Sequence, residues 1–375
     1  MKSLVSLCVL FCSVISFGQE IKQITIPSDA FGQPRQIWVY TPEGYTEETA
    51  KRFEVIYVFD AQARAYFDMV HSALNFLSLN NPMIVVGIVS NDRNKDFFPK
   101  NDHEETAKKY YNHLGDADKM LGFMSHDVVP YIDDHYRTLP TRIAVGHSNG
   151  GTFISYCLLE KPELFDAYIA ISPNYAYDGE QFVKRFEKFD PSKLSEKYFY
   201  MCNSNEGTDW IPARQKVAAL FNSPKFKEKI RFTNQDFSAT EDHMSVFPVG
   251  LAAGLKGYID YRFHNVDNLI GYYDGLAAKG YAPTADQVNM LAYNFFWEGR
   301  TPEAIKVMSW AIGRFPTDHN LYDSMGEFQV KAGDSKKAKE LYAKAIKLLE
   351  QDTTIDTKTR DEKYSYYKGN YDSIK

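Results

Sequence analysis

The chain has 375 residues, 15% of them aromatic, and its 43 basic and 49 acidic side chains give a net charge of −6. A chain of this length exceeds what one hydrophobic core usually holds, so at least two domains are expected. The balance is slightly acidic and no basic cluster of the kind that binds nucleic acid is present, so nucleic acid is not an expected partner.

The N-terminus has the pattern of a secretory signal peptide. Lys2 is followed by an apolar run over residues 4–17, and the small residues Ser16 and Gly18 fit cleavage before Gln19. The run is too short to span a bilayer comfortably. We therefore expect an exported protein, periplasmic or secreted, with no membrane span after cleavage of residues 1–18; a retained anchor is the alternative.

Residues 19–256 alternate between strand-like and helix-like segments. The pattern predicts strands over 37–40, 53–59, 82–89, 141–145, 165–172, 197–202 and 230–232, and helices over 65–79, 106–136, 152–159 and 180–189. Strands regularly separated by helices predict a mostly parallel sheet flanked by helices. Cys157 and Cys202 fall in buried elements and are expected to pack, although a disulfide between them stays open.

The pentapeptide GHSNG at residues 146–150 lies between a predicted strand and a predicted helix, which is the pattern of a nucleophile elbow. Such a turn forces its serine into unfavourable backbone angles and requires neighbours without side chains, a requirement that Gly146 and Gly150 meet. Ser148 is therefore the candidate nucleophile. A structural glycine turn is the alternative.

A serine hydroxyl needs a general base and an acid that orients this base. In the arrangement suggested by the elbow, the chain order is serine, acid, histidine. Three histidines follow Ser148: His264 lies in the segment between domains, His319 in a helical repeat, and His243 in a polar loop after a strand. His243 is therefore the candidate base, with a surface histidine of no special role as the alternative.

The acid is expected in the loop over residues 203–210, which follows the predicted strand ending at Cys202. Glu206 is the first candidate and Asp209 the second, and a serine–histidine dyad without a conventional acid is a third interpretation.

Stabilisation of a tetrahedral oxyanion requires two backbone N–H groups. One is expected from Asn149, directly after the nucleophile, and the other from Ala61 or Gln62 in the loop after strand 53–59. Asp60 in the same loop is expected to be a structural cap.

Several motifs resemble those of the putative esterase family of α/β-hydrolases, which includes feruloyl and acetyl-xylan esterases, S-formylglutathione hydrolase, ferric-enterobactin esterases and mycolyltransferases. They are VIYVFD at 55–60, VVGI at 85–88, NDR at 91–93 with Asp96, VPYID at 129–133, YRT at 136–138, and FDAY at 165–168 before Ser172-Pro173. The resemblance covers roughly residues 21–256 and implies an α/β-hydrolase fold with a Ser148–Glu206–His243 triad. Asn203 stands where relatives often have glycine, and many relatives use aspartate as the acid, so the acid stays open.

Residues 285–350 have a period of 34 residues that resembles two tetratricopeptide repeats. The recurring pairs are Gly299 and Gly333, Ala304 and Ala338, and Ala311 and Ala345. We expect a small all-α domain after a helical linker over residues 257–284, with the polar tail at 351–375 forming either a capping helix or a disordered end. Two repeats are fewer than the roughly three needed for independent stability, so they are expected to dock on neighbouring structure.

Signals for cofactors are missing from the sequence. There is no glycine-rich phosphate loop or dinucleotide fingerprint, and the histidine-containing segments 103–105 and 133–135 lack two histidines one helical turn apart. We expect no cofactor and no metal.

The leading interpretation is an exported serine esterase that hydrolyses a small-molecule or glycan ester, with siderophore, sugar-acetyl and aryl esters as substrate classes. Aromatic residues expected near the cleft are Tyr66, Phe97, Phe98, Tyr175, Tyr177 and Trp210. For each of them, a place in the ordinary core or at the rim is the alternative. The alternative is a catalytically silent hydrolase-fold protein whose helical repeats bind a protein or peptide partner.

Overall fold

The computed structural model describes residues 20–47, 49–78, 81–109, 115–206 and 209–374. The predicted signal peptide at residues 1–18 lies outside these ranges. The chain divides into two compact units, the first ending at Gly254 and the second beginning at Leu255.

One sheet of eight strands forms the centre of the first unit. The strands are β1 Glu20–Ile26, β2 Arg35–Thr41, β3 Phe53–Phe59, β4 Ile84–Ile88, β5 Thr138–His147, β6 Ala167–Ile171, β7 Lys197–Asn203 and β8 Ile230–Asp236. Their order is β1-β2-β4-β3-β5-β6-β7-β8. The β1–β2 and β2–β4 pairs are antiparallel, and all other neighbours are parallel.

The central strands are buried along their whole length. All residues of β3, β4, β6 and β7 are buried, as expected for parallel strands covered by helices on both faces. The mostly parallel sheet flanked by helices, expected from the sequence as an α/β-hydrolase fold, is confirmed.

Helices of the first unit connect these strands. They are α1 Ala65–Leu77, α2 Arg93–Phe97, α3 Glu104–Lys109, α4 Ala117–Gly122, α5 Val129–His135, α6 Asn149–Glu160, α7 Tyr177–Lys188, α8 Trp210–Phe221, α9 Pro224–Lys227 and α10 Val246–Ile259, which continues past the unit boundary. A π-helical turn, Phe123–Val128, joins α4 to α5, and a 3-10 turn covers Pro191–Lys193.

The helical spacing predicted over residues 106–136 corresponds to more than one helix, since α3 ends at Lys109 and α4 begins at Ala117, followed by the π-helical turn and α5 to His135. Gly115 has a φ of +112°, which a helix does not accommodate, and a Cβ at this position would lie 2.9 Å from Lys100 Cγ. The glycine thus marks a turn at which the chain backbone passes close to Lys100.

The two cysteines beyond the signal segment are buried and are not joined to each other. Burial raises the pKa of the Cys157 thiol and raises that of Cys202 to about 11. Both therefore behave as small apolar core residues.

The second unit is helical throughout its described part. It comprises a π-helical turn Asp260–His264 and α11 Val266–Ala278, α12 Ala285–Trp297, α13 Thr301–Arg314, α14 His319–Ala332, α15 Ser335–Gln351 and α16 Thr357–Ser373. Gly299 and Gly333 lie in the turns after α12 and α14 with φ of +77° and +86°. The recurring alanines of the 34-residue period are fully buried. The tetratricopeptide identity of these helices stays a prediction.

The polar tail forms a helix. Asp356 caps the N-terminus of α16 by accepting from the Thr359 N–H, and Tyr367 is buried. Of the two interpretations of residues 351–375, the capping helix is therefore the one that the structure favours. Among the helices of the described ranges, none combines the length and hydrophobicity needed to cross a bilayer.

Candidate active site

Ser148 occupies a sharp turn between β5 and α6. Its φ of 57° and ψ of −118° lie outside the regions that a side chain normally tolerates. A Cβ on Gly146 would lie 2.3 Å from the carbonyl carbon and oxygen of Gly150, so residue 146 must be glycine for this turn to form. The backbone is therefore that of the elbow predicted from the pentapeptide.

Backbone strain recurs at three neighbouring strand ends. Asp60 after β3, Ser148 after β5 and Ser172 after β6 have φ of 70°, 57° and 50°, and all three residues are buried. Each such conformation costs on the order of 1–3 kcal/mol and is characteristic of functional sites. The carboxyl edge of β3, β5 and β6 is therefore the candidate active-site edge, as is usual in open parallel sheets.

His243 lies in the loop between β8 and α10, beside the residue that precedes Ser148. Its carbonyl oxygen is 2.7 Å from His147 Nε2, and the two imidazole rings are 4.7 Å apart. Its Nδ1 contacts Glu206 Oε1. The predicted base is thus held on one side by the predicted acid and on the other by the elbow.

Glu206 follows β7, and its side chain is only 5% exposed. The acid loop and the base loop are joined by their backbones, since Asn205 pairs with Asp242 in an isolated parallel bridge and the Asn205 N–H donates to Glu241 O at 2.7 Å. Asp209, the second acid candidate, is exposed. The contact with His243 Nδ1 is made by Glu206.

The local electrostatics keep both histidines neutral. Burial, followed by the charges of Arg214 and Arg93, lowers the pKa of His243, which suits a general base at neutral pH. Burial and the neighbouring His243 lower the pKa of His147 to about 3. A neutral His147 donates from Nε2 to the His243 carbonyl and accepts at Nδ1 from the Tyr66 hydroxyl at 3.0 Å.

The candidate oxyanion donors lie in two places. Asn149 is the first residue of α6, so its N–H has no acceptor within the helix. The Ala61 N–H donates to Ile88 O at 3.0 Å and is therefore already used. The Gln62 side chain is held at both ends, by Asp60 at 2.7 Å and by the Ser90 N–H at 3.0 Å. Of the two alternatives in this loop, Gln62 therefore remains the candidate donor.

Asp60, expected to be a structural cap, forms an ion pair instead. Its carboxylate accepts two hydrogen bonds from Arg93, at 2.8 and 2.9 Å, and Asp60 Oδ2 would lie 3.1 Å from a Cβ on Gly150. The pair fixes the loop after β3 against the elbow. Arg93 belongs to the NDR motif at 91–93, but the sequence assigned it no role.

Arg214 is the principal site residue that the sequence reasoning missed. It is fully buried on α8 and its Nη2 contacts Glu206 Oε2. Its signal in the sequence is a charge within the apolar face formed by Ala213, Val217 and Phe221. A charged residue on such a face requires a buried partner.

The aromatic residues expected at the cleft divide into two groups. Phe97, Phe98, Tyr175 and Tyr177 are buried, so of the two interpretations the core is the one that the structure favours for them. They pack within the main hydrophobic core. The other two, Tyr66 and Trp210, are partly exposed, and Trp210 packs edge-on against His243 with centroids 5.4 Å apart.

Within the described ranges, no group of three or more histidine, cysteine or acidic residues could hold a metal ion.

The family model described as putative esterase matches residues 28–222. The chain belongs to the putative esterase family. It is 26% identical over 196 residues to the ferri-bacillibactin esterase of Bacillus subtilis, covering 47% of this chain and 66% of that protein. It is 28% identical over 128 residues to the siderophore enterobactin esterase of Emericella nidulans, covering 32% of this chain and 41% of that protein. The chain thus spans less than two thirds of the length of either relative.

A solved structure has the same fold as this esterase-family chain. The IroE-like serine hydrolase from Shewanella oneidensis superposes with a TM-score of 0.64 and 21% identity, over 78% of this chain and 99% of that one. The enzyme class expected from the sequence, a carboxylic ester hydrolase, is the class of the matched family.

Proposed function

We propose that this chain hydrolyses carboxylic esters through Ser148, with His243 as general base and Glu206 as the acid that orients it. One observation carries the proposal: His243 contacts Glu206 through Nδ1 while its backbone is bonded to His147, the neighbour of Ser148. This leaves Nε2 as the nitrogen available to the Ser148 hydroxyl.

The chemistry divides into acylation and deacylation. In acylation, Ser148 Oγ forms a bond to the ester carbonyl carbon and its proton passes to His243 Nε2. The N–H groups of Asn149 and Gln62 stabilise the oxyanion, and the imidazolium returns the proton to the departing alcohol. In deacylation, a water molecule gives a proton to His243 Nε2 and attacks the acyl carbon. The bond from that carbon to Ser148 Oγ then breaks, the imidazolium returns the proton to Oγ, and the acid is released. We favour water over a second alcohol as the acceptor.

Labelling with a fluorophosphonate tests the nucleophile directly. We expect one covalent adduct per full-length chain, located by peptide mass spectrometry on Ser148 and missing in Ser148→Ala. Labelling of His243→Ala should be much slower, because the hydroxyl then lacks a base. An adduct on another serine would contradict the proposal.

The substrate class we propose is a siderophore ester. Two of the relatives are named for esterase activity on ferri-bacillibactin and enterobactin, which supports testing a siderophore trilactone first. The panel should include an acetylated sugar, a feruloyl ester and a short aliphatic ester, with Ser148→Ala as the blank. A higher kcat/KM on an acetyl-sugar or feruloyl ester would replace the siderophore assignment.

We also propose that the protein is exported, on the pattern of residues 1–18. N-terminal sequencing of the protein recovered from the periplasm or medium of a bacterial host should begin at Gln19. Recovery only from the cytoplasm with residues 1–18 attached would contradict this.

A further inference from the structure

Arg214 is fully buried on α8, and its donors all point at the acid loop and its surroundings. Nη2 contacts Glu206 Oε2, and Nη1 donates to Ser172 Oγ at 2.7 Å and to Cys202 O at 3.4 Å. Nε donates to Trp210 O at 3.3 Å. Because burying a guanidinium is costly unless its donors are satisfied, this arrangement gives Arg214 one orientation.

The Glu206 carboxylate is fixed from three sides. Oε2 faces Arg214, whereas Oε1 receives the Ser172 hydroxyl at 2.6 Å and contacts His243 Nδ1. Ser172 has one hydroxyl proton, which it donates to Glu206, so its oxygen accepts from Arg214 and from Ser204, 2.8 Å away. Ser172 is held at a φ of 50° at the end of β6. This strained residue joins the arginine to the acid.

We propose that Arg214 is a positioning residue of the esterase, which keeps Glu206 a fixed carboxylate so that the proton taken from Ser148 stays on His243. The inference rests on the proposed function and adds a residue that acts through Glu206.

The physical reason is competition for one proton. An isolated, buried carboxylate beside an imidazole would take the proton itself, because burial disfavours its charge. The positive charge of Arg214 offsets that preference. The charged and titratable groups that act on His243 are Glu206, Arg214, Arg93, Asp242 and His147. After burial, Arg214 is the strongest of the influences that lower the pKa of His243.

The positive charge of Arg214 also decides in which direction the pH profile moves when this residue is replaced. Removing Arg214 removes a positive charge beside the Glu206–His243 pair, so the pair binds its next proton more tightly, whichever member carries it. The acidic limb of the kcat/KM profile should therefore move to higher pH. A role limited to packing would leave this limb unchanged.

Kinetics on Arg214→Met, Glu206→Gln and the double variant test the proposal. We expect Arg214→Met to lower kcat about ten- to a hundredfold with little change in KM, since misplacing a catalytic group by about 1 Å has effects of this size. The apparent pKa of the acidic limb of the kcat/KM profile should rise by about one unit. The double variant should be no slower than Glu206→Gln, because Arg214 acts through that carboxylate. An unchanged limb, or an equal loss of kcat from Arg214→Met in both backgrounds, would overturn the proposal.

Arg214→Lys provides a variant that keeps the buried charge if Arg214→Met does not fold. An ammonium cannot contact Glu206 and Ser172 as a planar fork does. We expect a several-fold lower kcat with an unchanged acidic limb, and near-ultraviolet circular dichroism like that of the wild type. A wild-type kcat in Arg214→Lys would contradict positioning by the guanidinium.

A titration without turnover separates this inference from the proposed function. In Ser148→Ala protein, NMR of the His243 ring should give a higher pKa when Arg214→Met, or Arg214→Gln, is added. Lack of ester turnover in the wild type would overturn the proposed function. An unchanged His243 titration would overturn the role of Arg214 whatever the turnover.

Discussion

The His147 Nε2–H donates to the carbonyl oxygen of His243 at 2.7 Å, while the two rings lie 4.7 Å apart. Because His147 immediately precedes Ser148, this bond ties the loop of the candidate base directly to the elbow. The Tyr66 hydroxyl occupies the other ring nitrogen of His147. Both nitrogens are therefore used by the neutral imidazole, and protonation would remove the acceptor that Tyr66 needs.

The low pKa of His147, about 3 against an ordinary 6.5, predicts a loss of stability in acid. The unfolded chain binds the proton more tightly between these pH values, so this contribution to folding is complete above pH 6.5 and lost as the pH falls towards 3. The slope is about 1.4 kcal/mol per pH unit. Urea unfolding measured between pH 3 and 6.5 should give an unfolding free energy that depends less steeply on pH for His147→Gln than for the wild type. The difference in slope should correspond to about one bound proton. His135→Gln, at an exposed site, is the control, and equal slopes for all three proteins would contradict the assignment.

The elbow requires glycine at residue 146. Gly146→Ala places a Cβ 2.3 Å from backbone atoms of Gly150, which cannot move without disrupting α6, so we expect lost activity and a destabilisation of about 3 kcal/mol or more. Gly271→Ala is the matched control, because its helical position has open space around it. That control should be neutral or stabilising by up to about 1 kcal/mol. Thermal unfolding and ester turnover check both variants; an active, stable Gly146→Ala protein would be incompatible with this turn.

The two acid candidates give opposite predictions. Glu206→Gln should lower kcat by about a hundred- to ten-thousandfold, because an amide neither stabilises the imidazolium nor selects its correct tautomer. Asp209→Asn, an exposed change in the same segment, should stay within about twofold of the wild type. Steady-state kinetics at saturating ester distinguish them. The reverse ranking would transfer the acid role to Asp209.

Close packing within the second unit depends on Gly326. Its Cβ would lie 2.5 Å from Cε1 of the buried Tyr342 ring, so Gly326→Ala should cost about 1–3 kcal/mol. Gly313→Ala, in open space on α13, should show no loss. Limited proteolysis of the full chain should release fragments of residues 255–375 sooner from Gly326→Ala, with fluorophosphonate labelling of Ser148 retained. Equal digestion of the two variants would contradict this packing.

The central strands were predictable because their residues are buried on both faces. Strand β3 is apolar except for Glu54 and was predicted at its observed bounds. Strand β1 was not predicted, since most of its residues are exposed and it is defined by pairing with β2 at one edge of the sheet. Local periodicity reports burial, whereas an edge strand depends on a partner elsewhere in the chain.

Candidate site residues could be named from the sequence where the role of a residue depends on its own turn or loop. Ser148 is the candidate that its turn indicates, and His243 is the candidate among three histidines because it lies in a loop after a strand, whereas the sequence leaves the acid open between Glu206, Asp209 and a dyad. Arg214 is marked locally only as a charge on the apolar face of α8, and its contact with Glu206, like the His147–Tyr66 bond, depends on how distant segments pack. The choice between Ala61 and Gln62 likewise depends on a hydrogen bond to β4.

The most direct test of the whole account is hydrolysis of a p-nitrophenyl ester by the purified full-length protein and by Ser148→Ala. We predict turnover well above the uncatalysed rate for the wild type, and a rate at background for Ser148→Ala with an unchanged melting temperature. Equal rates for the two proteins would contradict the central claim that Ser148 is the nucleophile of an esterase.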